Sequence, residues 1–146
     1  MIQKFQRAHY RLKVWQKSID LIEFVYRSVR DFPREEIYGL TSQIKRSAIS
    51  IPLNIAEGCG RESTKEKKRF FVMARGSLVE LETQSIIAVR LGFMNPETHD
   101  RFLDRLNEIS AMLSGLISAV LRRTSNDGLA TPFSDSDAIS LRSFAT

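Results

Sequence analysis

Cys59 stands in the run Gly58-Cys59-Gly60-Arg61, a thiol between two glycines and two residues from a guanidinium. A neighbouring cation favours the thiolate, the form that attacks electrophiles and binds metals. A working nucleophile also needs a base within hydrogen-bond reach. The chain offers only His9, near the N-terminus, and His99, beside a helix start. With neither placed to activate it, Cys59 reads as a small loop residue. The same scarcity argues against a metal. Di-iron sites in helical bundles use Glu-x-x-His pairs, and neither histidine belongs to one. Glu80 and Glu82 are two apart on one helical segment and diverge. Gly58-Cys59-Gly60 lacks the lysine-serine ending of a phosphate loop and follows a helix rather than a strand. The expectation is a chain that is not an enzyme and takes no cofactor.

Cations are the more informative groups. Lys4, Arg7, Arg11, Lys13 and Lys17 crowd the first residues. Arg61, Lys65, Lys67, Lys68 and Arg69 crowd a connection in mid-chain, and Arg122 and Arg123 close the last helical pattern. The formal charge of +5 comes from 22 bases and 17 acids. Residues 124–146 hold three of the acids and one of the bases, so residues 1–123 keep 21 bases against 14 acids, or +7. Phe5, His9 and Tyr10 interleave with the first bases and offer rings on which nucleobases stack. Such a cluster at one end of a fold is the footprint of a phosphate-backbone binder. The opposite end, with Asp31, Glu35, Glu36, Glu97, Asp100 and Asp104, reads as mixed to acidic. The competing reading is lysines that merely keep helix ends solvated.

Four segments with helical periodicity must position these groups. In the first, Trp15, Ile19, Ile22, Tyr26 and Val29 recur at steps of four and three, and Pro33 follows. The second runs from about Gly39 to Gly58, with Ile44, Ala48, Ile51 and Ile55 on one line. The third opens on Ser63-Thr64-Lys65-Glu66, a capping box. It carries Phe70, Ala74, Ser77, Leu81, Gln84, Ala88 and Leu91 before Gly92, a C-terminal cap. Asn95 and Pro96 open the fourth, whose stripe is Phe102, Leu106, Ile109, Leu113, Leu116 and Val120. No segment alternates as a strand would. Short connections make successive helices antiparallel neighbours, so the expected fold is all-α, an up-down-up-down four-helix bundle. The divisions are a basic arm at residues 1–12, the bundle at 13–123 and a flexible polar tail at 124–146.

Helix two has more apolar surface than one core consumes. Ile49, Leu53 and Ala56 form a second line, roughly 140° from the first on a wheel of ~100° per residue. Val72, Val79 and Ile86 repeat the theme behind the main stripe of helix three. A helix apolar over most of its circumference is buried on more than one side, so these residues mark an interface with copies of the same chain. Tolerated surface hydrophobes are the plainer alternative. The remaining arc of helix two is polar: Gln43, Arg46, Ser50, Asn54 and Glu57. It admits recognition, cross-links between helices, or simple solvation. Pro52 interrupts the helix without breaking the phase of Ile44, Ala48, Ile51 and Ile55. One kinked helix is expected, ending at Gly58, with the Ala48 carbonyl deprived of its donor at a cost of about 3 kcal/mol.

The runs WQKSIDLIEFVYR, FPREEIYGLTSQIKRSAISIPLNIAEGCGR, FFVMARGSLVELETQ and LGF resemble a family of small four-helix-bundle proteins, some encoded within intervening sequences of bacterial 23S ribosomal RNA genes. The resemblance spans residues 10–122. It carries over Tyr38, Gly39, Leu40, Gln43, Arg46, Ser50, Pro52, Asn54, Glu57 and Gly58. A similar fold occurs in accessory proteins of diversity-generating retroelements, which implies binding to nucleic acid and to a reverse transcriptase. The fold also implies a homopentameric ring and no catalytic activity. Two functions follow as expectations: a nucleic-acid-binding homo-oligomer, or a protein-interaction scaffold or accessory subunit that does not touch nucleic acid. No apolar run reaches the ~20 residues of a spanning helix, and the first residues lack the apolar core of a secretory signal. A lone cysteine suits the cytoplasm.

Overall fold

The computed structural model describes residues 7–127 and shows an all-α four-helix bundle, with no strand among the described residues. The helices are α1 (Lys13–Ser28), α2 (Leu40–Cys59), α3 (Thr64–Arg90) and α4 (Pro96–Asp127). Short 3-10 turns at Ala8–Arg11 and Arg34–Glu36 precede α1 and α2. Lys4 and Phe5 lie outside the described residues.

Local chemistry accounts for the boundaries. Ser63 Oγ accepts from Glu66 N at 3.1 Å at the start of α3, while the Glu66 carboxylate goes to Arg69 at 3.4 Å. At the other end Gly92, with φ of 76°, lets Gly92 N donate to Val89 O and Phe93 N to Ala88 O. That pair of bonds closes the exposed carbonyls of the last turn. Asn95 Oδ1 accepts from Thr98 N at 2.8 Å and starts α4. Glu36 reaches forward so that its Oε2 accepts from Leu40 N at 2.9 Å, satisfying an orphan donor of α2.

The core follows the periodicity in α2 and α4. Ile44, Ala48, Ile51 and Ile55 are buried, as are all six residues of the α4 stripe. α2 runs unbroken through Pro52, which is itself buried. In the first segment the expected line holds at Val29, which is buried, and is one residue off before it. Val14, Leu21, Phe24 and Val25 form the core line, while Trp15 and Ile22 pack at its edge and Ile19 and Tyr26 are exposed. Ser18 hides the true phase: it is fully buried, and its hydroxyl donates to the Trp15 carbonyl at 2.6 Å. A self-satisfied hydroxyl costs little in a core and leaves no apolar signature. In α3 the aromatic core residue is Phe71, not Phe70, and Leu91 is exposed.

Cys59 is the last residue of α2 rather than part of a loop, and it is buried. The helix therefore ends one residue beyond Gly58, with Gly60 as its cap. α4 continues to Asp127, into the stretch assigned to the tail. The 3-10 turn Ala8–Arg11 and the buried Leu12 fold the end of the N-terminal arm onto the bundle.

Candidate nucleic-acid interface

The polar arc of α2 divides between structure and surface. Ser50 Oγ lies 2.6 Å from Ser77 Oγ, which in turn donates to Met73 O at 3.2 Å, so two hydroxyls bridge α2 and α3. Asn54 Nδ2 donates back to Ser50 O at 2.9 Å, and Ser47 Oγ reaches Glu80 Oε2 at 3.4 Å. These small polar residues let the two helices approach closely. Gly58 is part of the same seam: a Cβ there would lie 2.5 Å from Phe71 Cε1. Gln43, Arg46 and Glu57 are exposed instead, and Glu57 pairs with Arg61 at 3.2 Å.

The cationic residues fare unequally. Lys67 is only 4 % exposed, and its ammonium donates to the Cys59 carbonyl at 3.4 Å. It serves the C-terminal end of α2, where a cation meets the negative end of the helix dipole, and it is withdrawn from the surface cluster. Its charge favours the Cys59 thiolate, but burial dominates and pushes the thiol up to about 12. Cys59 is therefore a neutral, inert thiol at neutral pH.

Arg69 bonds Glu66, and Arg61 and Arg69 both lie over the Phe70 ring, at 4.8 and 5.3 Å. Lys17 pairs with Glu108 of α4 at 3.1 Å. All these pairs are largely exposed and exchange readily with another anion. Lys65 and Lys68 are exposed and have no ion-pair partner among the described residues. Arg7, Arg11, Arg122 and Arg123 are exposed and Lys13 is half-buried. Thr124 Oγ1 bonds Thr64 Oγ1 at 2.9 Å. That contact brings the end of α4, with Arg122 and Arg123, beside the start of α3, with Lys65 and Lys68.

Of the rings expected to stack on bases, His9 and Tyr10 pack against each other and against Trp15. His9 packs edge-on against Tyr10 and Trp15, at 4.6 and 5.1 Å between centroids, and Tyr10 lies 5.5 Å from Trp15. Burial, then the nearby Arg7 charge, lower the His9 pKa from its ordinary value. His99 is structural as well. Its Nδ1 lies 3.1 Å from Ser85 Oγ, a hydroxyl that also lies 2.7 Å from Glu82 O.

Several apolar residues remain uncovered. Leu53 is 61 % and Val79 58 % exposed, with Val72 and Ile86 also exposed and Ile49 and Ala56 half-buried. Tyr38, which the resemblance carries over without a role, is 97 % exposed; an aromatic without helical phase is the signal that marks it as a surface group. Among the described residues no group of three or more His, Cys, Asp or Glu side chains could hold a metal. No described helix is long and apolar enough to cross a membrane. Set against models of protein families, residues 10–115 match the one described as 23S rRNA-intervening sequence protein. Set against curated proteins, the chain finds no match.

Proposed function

The chain belongs to the 23S rRNA-intervening sequence protein family, and on that footing we propose that it is a non-enzymatic protein that binds the backbone of RNA or DNA as a homo-oligomeric ring. In this reading the helices run up-down-up-down. The exposed cations at the start of α3 and the end of α4 then make one basic end. The observation that carries the proposal is the clustering of exposed cations there. Lys65 and Lys68 are exposed without ion-pair partners among the described residues, and Arg122 and Arg123 are brought near by the Thr64–Thr124 contact. Phosphates are the partners of choice for such groups, and no recognition helix is evident to read bases. A ring closed through Leu53, Val72, Val79 and Ile86 would repeat the basic end around one rim, and five copies is the number the family resemblance implies.

A second reading has its own support. A groove of about 470 Å³ beside α2 is lined by Tyr26, Ile37, Lys45, Arg46, Ile49 and Leu53, a mixed surface of the kind that docks another protein. In that case the chain is an accessory subunit, for example of a reverse transcriptase.

Titrating labelled structured RNA and duplex DNA separates the two. Nucleic-acid binding that weakens with salt and is lost in the Lys65→Glu/Lys68→Glu variant supports the first reading. Binding that ignores both changes overturns it. Light scattering tests the ring, which predicts a mass several times that of the 16.7 kDa chain; a clean monomer removes it.

A further inference from the structure

A groove of about 700 Å³ opens between the last turns of α1, the α3–α4 turn and the start of α4. Arg27 of α1 and Arg101 and Arg105 of α4 line it, with Asp31 as the one carboxylate. None of the four makes an ion pair with a described residue. Three guanidinium groups are thus held around one volume, and one carboxylate leaves a net charge of +2 on its walls. Arg105 is also held in place, its guanidinium 4.5 Å from the centroid of the Phe24 ring, and a guanidinium carries its donors in a planar fork. Phe24 and Phe93 give the groove apolar wall.

We infer that this groove is a second anion site, for a phosphate monoester or polyphosphate carried on a nucleotide-sized ligand. The lining charge of +2 matches a phosphate monoester, which carries about −1.5 to −2 at pH 7. A single carboxylate would leave a guanidinium unanswered. The fork geometry of arginine suits phosphate oxygens. The volume lies within the ~300–1,000 Å³ of small-ligand sites, and half-buried Phe93 is among the residues that line it. The site is separate from the basic end around Lys65 and Lys68. Those residues lie at the opposite end of the 27-residue α3, about 40 Å away at 1.5 Å per residue. The inference therefore stands apart from the proposal above.

The phosphate has two sources, a free nucleotide or the 5′ end of an RNA strand, and two titrations separate them. Calorimetry of the full chain with ATP should show saturable binding, weakened at least tenfold when Arg101→Gln or Arg27→Gln is added to a Lys65→Glu/Lys68→Glu background, in which the basic end no longer competes for phosphate. In the same background, a short RNA with a 5′-phosphate should be compared with the same RNA ending in a 5′-hydroxyl. A preference for the phosphate that Arg101→Gln abolishes assigns the site to RNA ends; saturation by ATP alone assigns it to free nucleotides. Arg27 and Arg101 are exposed, so unchanged helical circular dichroism is required of both variants. If neither probe shows Arg101-dependent binding, the inference is wrong.

Discussion

Gly58→Ala tests the α2–α3 seam at its tightest point. The new Cβ would lie 2.5, 2.8 and 3.1 Å from three atoms of the Phe71 ring. Ordinary contact begins at 3.4 Å, so ring or helix must give by nearly an ångström. Phe71 is completely buried and has no open side to move into. Forcing a methyl into such a site costs about 1–3 kcal/mol, while replacing glycine by alanine in a helix returns about 1 kcal/mol. The net expectation is a loss of about 1 kcal/mol, or ~3–4 °C in Tm for a chain of this size. A cycle with Phe71→Leu isolates the clash. In that background Gly58→Ala should become neutral or stabilising, giving a coupling of about 1–2 kcal/mol by urea denaturation. Gly60→Ala is the control, because its Cβ would meet nothing closer than Glu57 O at 3.5 Å. If Gly58→Ala is as stable as the parent and uncoupled from Phe71, the seam is not packed as described.

Cys59 should resist alkylation at neutral pH in the folded protein and react once urea unfolds it, as followed by mass spectrometry. Because burial raises its pKa from 9.0 to about 12, the unfolded chain ionises first. Stability should hold below pH ~9 and then fall by up to about 1.4 kcal/mol per pH unit towards 12; Cys59→Ser should flatten that fall. Leu53→Glu and Val79→Glu should each turn an oligomer into monomers in light scattering while leaving helical content intact, since both side chains are exposed in the single chain. Pro52→Ala should raise the stability of the isolated bundle by returning a donor to the Ala48 carbonyl. If the proline shapes the assembly face, the same variant should weaken self-association at equal concentration.

Much of the fold was legible because α2 and α4 bury simple apolar stripes, and because Ser63, Gly92 and Asn95 mark helix ends by their own side-chain or backbone chemistry. The phase of α1 was not, since Trp15, Ile19 and Tyr26 supply a rival apolar line and the true line contains Ser18. The interface residues were harder still. Lys67 has the composition of a surface cation and becomes a buried one only because the end of α2 offers it a carbonyl. Arg61 and Arg69 find local carboxylates at i−4 and i−3. The groove lined by Arg27, Arg101 and Arg105 was invisible in sequence, because Glu97, Asp100 and Asp104 make that end of the bundle read as mixed to acidic. Sequence spacing shows charge along a helix but not which turns of two helices meet.

Phosphate binding at the basic end is read out by the salt dependence of duplex DNA affinity. Each neutralised phosphate contributes a slope of about −0.9 in log K against log salt. The parent chain should show a steep slope. With both lysines on phosphates, Lys65→Glu/Lys68→Glu should make it shallower by about 1.8, twice the value for one phosphate. A slope that the double variant leaves unchanged would contradict phosphate binding at that end.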